Sequence, residues 1–289
     1  MKLRDVILHF RFPFSLFLMP VYLYALSQVH RIEDRWAVWG SFIVWHVFIY
    51  PASNAYNSYF DKDEGSIGGL KSPPPVTEIL YWISLLWTAL GVGLAFVVHV
   101  LYGCMVLVYV LVSKAYSHPA IRLKRHPYLG WLAVVLFQGA WVYMATVVAV
   151  APGEETEQQH RAAALLSSLM LAATYPLTQV YQHEEDRQRG DLTLSLRLGV
   201  KGTFLWASFF LLLTALGHVA YAYYFADRLY LLVLSGCLLL PGIYFFYWMR
   251  RAYRRQEATY EEAMRMNITG AMSMNIAFAT LLALRYLVV

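Results

Sequence analysis

Residues 50–65 read YPASNAYNSYFDKDEG and residues 175–190 read YPLTQVYQHEEDRQRG, two copies of one polar pattern displaced by a constant 125 positions. Tyr, Pro, Tyr, Asp and Gly recur at identical places, and Ser53 with Thr178, Asn54 with Gln179, Asn57 with Gln182 and Lys62 with Arg187 are close chemical equivalents. Each copy closes a long apolar stretch, where polar side chains are costly and mark a site. The repeat therefore predicts two facing half-sites built from one duplicated unit.

The rest of the chain supplies the apolar setting. Of 289 residues, 59% are hydrophobic and 14% charged, and the mean hydropathy is +0.47, too apolar for an ordinary soluble domain. Stretches about the length of a bilayer crossing recur. They fall near Phe12 to Ser27, Trp36 to Phe60, Ile79 to Val98, Leu101 to Ser117, Leu129 to Val150, Ala162 to His183, Phe204 to Phe225, Leu229 to Met249 and Ile268 to Val288. The predicted fold is an all-α, polytopic bundle of nine transmembrane helices, a single membrane domain over 1–289.

Lys and Arg are retained on the cytoplasmic side. Placing the N-terminus inside leaves only Arg31, Arg35, Arg161, Arg228 and Arg285 on the other face, together with Glu154, Glu155 and Glu157. Both polar repeats then open to the cytoplasm. The net charge of +5 follows from this loop bias and from attraction to anionic lipid, so no nucleic-acid partner is expected. The basic, then apolar N-terminal segment has no convincing small-residue cleavage site and is read as a retained first helix. Cys104 and Cys237 fall inside predicted spans and read as packing residues.

A second echo, Arg11-Phe-Pro13-Phe14 against Arg125-His-Pro127-Tyr128, supports duplication. Units of four helices share one orientation, so matching loops meet on one face. The halves are approximately 1–118 and 119–225, with helices eight and nine added. The connection Asp61 to Thr77, with Gly65, Gly68, Gly69 and Pro73, Pro74, Pro75, is expected to be an irregular cap. Gly190 to Gly199 reads as a second connection able to close over a cavity.

On a helix, Asn54, Asn57 and Asp61 share a stripe, as do Gln179, Gln182 and Asp186. Each half thus offers two amides and a carboxylate, with Asp63, Glu64, Glu184 and Glu185 nearby. Such oxygen donors suit Mg²⁺, whereas no His or Cys cluster proposes zinc. Pro51 and Pro176 free backbone carbonyls and are expected to kink their helices. Lys71, Lys114, Tyr116, Arg122, Lys124 and Arg125 lie on the same face, and cations beside a metal suit a diphosphate. Lys71 and Arg122 stand out as anion ligands, and the rest read first as positive-inside markers.

These residues resemble the UbiA superfamily of intramembrane prenyltransferases. NSYFDKDEG is similar to its first aspartate-rich motif, QHEEDRQRGDLTLSLRLG to its second, and AYSHPAIRLKRHPYLG to the stretch after its fourth helix. Three departures reduce the formal negative charge: Ser58 follows Asn57 and Gly65 takes the last acidic place, while Gln182 stands at the leading aspartate of the second motif. Glu184 and Glu185 sit where they can restore some of that charge.

The resemblance implies nine helices, Mg²⁺ and transfer of an isoprenyl group from a prenyl diphosphate to an aromatic or other lipophilic acceptor. In that scheme Asp61, Asp186, Lys71 and Arg122 are catalytic. Asn54, Asn57, Tyr116, Lys124, Gln179 and Gln182 bind substrate, and Asn57, Asp61, Asp63, Glu64, Gln182, Glu185 and Asp186 hold metal. A terpene cyclase of the same architecture and a non-catalytic prenyl-lipid carrier are the alternatives. The two half-sites depart in parallel, each keeping amide, amide and carboxylate, which points to a working, less acidic site.

Overall fold

The structure is a computed structural model, described here for residues 2–32 and 34–287. Thirteen α-helices follow in order: α1 (Leu3–Phe10), α2 (Met19–Gln28), α3 (Arg35–Phe42), α4 (Tyr50–Asp61), α5 (Glu78–Val98), α6 (Val100–Ser117), α7 (Pro127–Val134), α8 (Val142–Val150), α9 (Gln158–Leu177), α10 (His183–Arg189), α11 (Leu194–Phe225), α12 (Arg228–Arg255) and α13 (Tyr260–Leu287). The nine stretches expected from the sequence fall largely on helix, but the sixth is interrupted by the turn at 178–182, and the end of the last, Val288, lies outside the described residues. By length and apolarity six helices among the described residues qualify as membrane spans, or eight when the bent pairs α1–α2 and α9–α10 each count as one. The run from Arg35 to Asp61, which carries the first polar segment, is not among them.

Pro51 sits inside one continuous helical run, directly after the π-helical turn Ile43–Ile49, and the Val47 carbonyl that its missing N–H leaves free accepts the Trp87 indole N–H at 2.9 Å. A second π turn, Val135–Trp141, is wedged open by Ser168. Its Oγ donates to the Val135 carbonyl at 2.9 Å and accepts the Ala140 N–H at 3.0 Å, satisfying backbone groups the wider turn releases. Gly139 permits this approach, since a Cβ there lies 2.7 Å from Ser168 Cα.

The core is aromatic and polar at its rims. Trp45, Tyr22, Tyr24, Tyr102, Tyr143 and Phe278 are fully buried, and Tyr24 stacks on Phe278 with ring centroids 4.4 Å apart. Buried tyrosine hydroxyls are paired across the core: Tyr221 donates to Gln28 at 2.7 Å and Tyr230 to Tyr24 at 3.0 Å, while the Tyr50 hydroxyl has no partner among the described residues. Outward, Val97, Leu205, Phe209, Leu232, Leu239 and Ile243 are exposed. An apolar belt of this extent suits lipid and not water.

Candidate active site

The polar end of the bundle is made by chain breaks. α4 stops at Asp61 because Lys62 takes a left-handed conformation (φ 52°), its N–H returning to the Ser58 carbonyl. In the second copy the expected continuous stripe is absent: α9 ends at Leu177, residues 178–182 turn, and α10 runs off at 83°. Pro176, just inside the end of α9, accompanies this break. Gly190 (φ 70°) closes α10 in the left-handed region that glycine enters without strain. Within the second connection Thr193 caps a short helical segment that starts at Leu194, accepting the Leu196 N–H at 3.3 Å, and Gly199 (φ 67°) breaks it from the long helix that follows.

These breaks bring the two copies onto one cavity of about 740 Å³. Asn54, Asn57, Asp61, Asp63, Tyr116, Lys124, Gln179, Gln182 and Asp186 all line it, so nine of the residues singled out from sequence converge. The walls beyond are apolar: Phe137, Met170, Leu211, Phe245 and Met274 among others. Leu212 and Phe246 also line the cavity while being 59% and 62% exposed, so it reaches the outer belt of the bundle.

Most charges in the mouth are paired. Lys124, 8% exposed, donates to Asp61 Oδ1 and stands 3.5 Å from Asp191 Oδ2. Arg122 grips Asp191 with two hydrogen bonds of 2.8 Å and lies 3.7 Å from Asp61. Burial alone raises the Asp191 carboxyl, but the Arg122 hydrogen bonds and the charges of Lys124 and Arg122 outweigh it and hold Asp191 below the usual carboxylate range. The same bonds raise the Arg122 guanidinium. Arg189 pairs with both Asp63 and Glu185. Asp186 accepts the Thr193 hydroxyl at 3.0 Å.

Arg11 is the cavity cation that meets carbonyls and not a carboxylate: Gly68 at 3.2 Å and Asn54 at 3.4 Å. The amides are oriented too. Asn57 Oδ1 accepts from Ser117 at 2.5 Å, Gln182 donates to the Ser66 carbonyl at 3.2 Å, and Asn54 to the Phe10 carbonyl at 3.4 Å. Gln179 donates to Tyr175 at 3.1 Å, leaving its buried Oε1 with no partner among the described residues. Tyr116 and Tyr175 share a short hydrogen bond.

Residues 62–77 contain no helix and lie across the mouth, where Ile67 and Gly68 line the cavity. The strap is pinned by Gly65 N–H to Glu185 at 3.2 Å and by Lys71 to Glu261 at 2.6 Å. Lys71 is 71% exposed and does not line the cavity. Arg122 also stands behind the wall, acting through Asp191, and Glu64 and Glu185 front a separate outer cleft. Sequence reading missed Asp191, Arg189 and Arg11 as site residues. Asp191 and Arg189 flank the Gly190 turn that ends the second copy, and that adjacency was the available signal.

Comparison with known proteins identifies the family and the fold. The UbiA prenyltransferase family profile matches residues 17–270. A structure of a UbiA homolog from Archaeoglobus fulgidus bound to DMAPP and Mg²⁺ superimposes with a TM-score of 0.70 at 16% identity, over 96% of this chain and 99% of that one. The same homolog bound to GPP and Mg²⁺ gives 0.69 at 17%. A digeranylgeranylglyceryl phosphate synthase gives 0.62 at 18%, over 98% of both chains. At these identities the likeness establishes the fold. No curated protein sequence matches the chain.

Proposed function

This chain belongs to the UbiA prenyltransferase family, and on that premise we propose that it is a Mg²⁺-dependent intramembrane enzyme transferring an isoprenyl group from a prenyl diphosphate to a lipophilic acceptor. One observation carries the reading: Asp61, Asp63, Asp186 and Asp191, with Arg11, Lys124 and Arg189, gather at one end of a cavity whose other walls are apolar. An anion with a long hydrocarbon tail matches that division.

The donor set fits Mg²⁺. Hard carboxylate and amide oxygens crowd the mouth, and the buried Oε1 of Gln179 is an acceptor without a donor. Asp61, Asp63 and Asp186, with the amide oxygens of Asn57 and Gln182, would hold the ion, which supplies charge neutralisation to the diphosphate. Glu64 and Glu185, on the adjoining cleft, add negative potential there. The structures with DMAPP or GPP and Mg²⁺ support this assignment.

The chain's own groups then act on the substrate. Lys124, Arg11 and Arg189 face the departing diphosphate and stabilise the charge that grows as the allylic C–O bond breaks. Arg122 keeps Asp191 and Lys124 in place. The apolar walls receive the tail and exclude water from the allylic cation, while the faces of Tyr116, Tyr175 and Tyr109 offer it cation–π stabilisation. The acceptor closes the new bond and releases a proton. The basic mouth faces the cytoplasm by the positive-inside rule, and the halves 1–118 and 119–225 each contribute one motif.

Purified protein supplied with Mg²⁺, prenyl diphosphates of several lengths and a panel of aromatic and lipid-alcohol acceptors tests the reading by mass spectrometry of lipid extracts. Prenylated acceptor is the expected product. A hydrocarbon or terpene alcohol formed from the diphosphate alone establishes cyclisation instead, and tail binding indifferent to Mg²⁺ without turnover establishes a carrier.

A further inference from the structure

Opposite the cavity mouth, the connections α2–α3 and α8–α9 bring together side chains that lie far apart in sequence. One ligand atom each of His30, Glu157 and His160 falls within 4.8 Å of the others. Glu154 joins them: its Oε2 is 3.1 Å from His160 Nε2 and 3.4 Å from His30 Nδ1, while Glu157 Oε2 is 3.5 Å from that same His30 nitrogen. Bonds of about 2.0–2.1 Å at tetrahedral angles set ligand atoms roughly 3.3–3.4 Å apart. The three separations of 3.1, 3.4 and 3.5 Å are close to those edges, and the His30, Glu157 and His160 atoms lie within 4.8 Å of one another.

We propose that His30, Glu154, Glu157 and His160 form a zinc site that staples the two connections on the face away from the catalytic cavity. Two imidazoles and two carboxylates favour a borderline transition ion and not Mg²⁺, which prefers oxygen alone. The supporting contacts are of the kind metal ligands require. His160 is wholly buried and its Nδ1 lies 2.9 Å from the Tyr143 hydroxyl, which fixes the ring and turns Nε2 toward the cluster. Glu154 is held by the His30 N–H at 2.9 Å and the Arg31 N–H at 3.4 Å. Gln159 Nε2 donates to Glu157 at 3.2 Å.

Sequence spacing hides the site, because His30 is 124 positions before Glu154. The ion bridges the C-terminal end of α2 to the N-terminal end of α9, elements that also pack against each other in the core. It therefore acts as a structural cross-link remote from the reaction, and its occupancy is independent of the prenyl diphosphate.

The test uses the full chain purified in detergent, stripped with a chelator and titrated with zinc chloride in excess Mg²⁺, read by metal content, X-ray absorption and melting temperature. The expected result is one Zn²⁺ per chain, a nitrogen-containing coordination shell and a higher melting temperature. His30→Ala with Glu157→Gln changes half-exposed side chains (55% and 41%), so the fold survives, and zinc affinity falls at least about tenfold. Asp61→Ala leaves it unchanged. Absence of retained zinc in the wild type, unaltered affinity in the double variant, or loss of zinc in Asp61→Ala instead each overturns the proposal.

Discussion

Arg122 and Asp191 meet side by side, Nε to Oδ1 and Nη2 to Oδ2, both at 2.8 Å, with Asp191 almost wholly buried. The pair fixes the floor on which Lys124 and Asp61 stand. Removing one member strands the other, and breaking a buried pair costs about 3–5 kcal/mol. Asp191→Asn should lower the melting temperature markedly at neutral pH. Folding lowers the Asp191 carboxyl below its unfolded range near 4, so the pair's contribution is complete above that range and fades as pH falls through the folded value. Melting curves of wild type and Asp191→Asn should converge only at strongly acid pH. A gap that stays constant down to pH 3 counts against the ion pair as its source.

Asp61 and Asp186 stand at matched places of the duplicated segment and line one cavity. Asp61→Ala and Asp186→Ala should each reduce prenyl transfer by at least about 10²-fold while the protein still purifies as a folded species. Full activity in both variants ends the assignment.

Lys124 and Lys71 separate a buried cation from an exposed one. Lys124→Gln should lower kcat by roughly 10²-fold, since it contacts two carboxylates in the mouth. Lys71→Ala removes only an exposed pair with Glu261 and should leave kcat/KM within about twofold. The reverse ordering in steady-state assays would show that the loop lysine reaches the substrate.

Arg11 presents a planar guanidinium to the cavity, where among the described residues its hydrogen bonds go to carbonyls and it lies 5.4 Å from the Phe14 ring centroid. A lysine there cannot reproduce its fork. Arg11→Lys should raise KM for the prenyl diphosphate by about tenfold with little change in melting temperature. An unchanged KM places the diphosphate away from Arg11.

Gly270 lines the apolar part of the cavity, and a Cβ there meets nothing nearer than Met266 Cε at 3.8 Å. Gly270→Phe therefore projects into open space and not into packed neighbours. It should lower kcat/KM for a C20 donor by at least about tenfold while sparing a C5 donor. Equal losses for both lengths mean that the tail lies elsewhere.

The membrane class, the order of the helices and the convergence of the two copies were legible because they rest on hydropathy and on residue identities at a fixed displacement. The turn after Thr178 was not. Gln179, Gln182 and Asp186 keep helical spacing, and only packing shows that the chain abandons the helix between them. Lys71 and Arg122 looked equivalent as basic loop residues. The difference arises from partners, Glu261 at the surface for one and buried Asp191 for the other, and one sequence cannot pair residues about 190 or 70 positions apart. Tyr143 and His160 were invisible for the same reason, although their contact is local to two neighbouring spans.

Leu212 and Phe246 front the cavity and the outer belt at once. A substrate that enters beside them is drawn from a two-dimensional solvent, so the concentration that governs turnover is mole fraction among lipids and not moles per litre. Adding inert lipid at fixed total substrate should slow the enzyme by surface dilution, and rates measured in different amounts of detergent become comparable only after that correction.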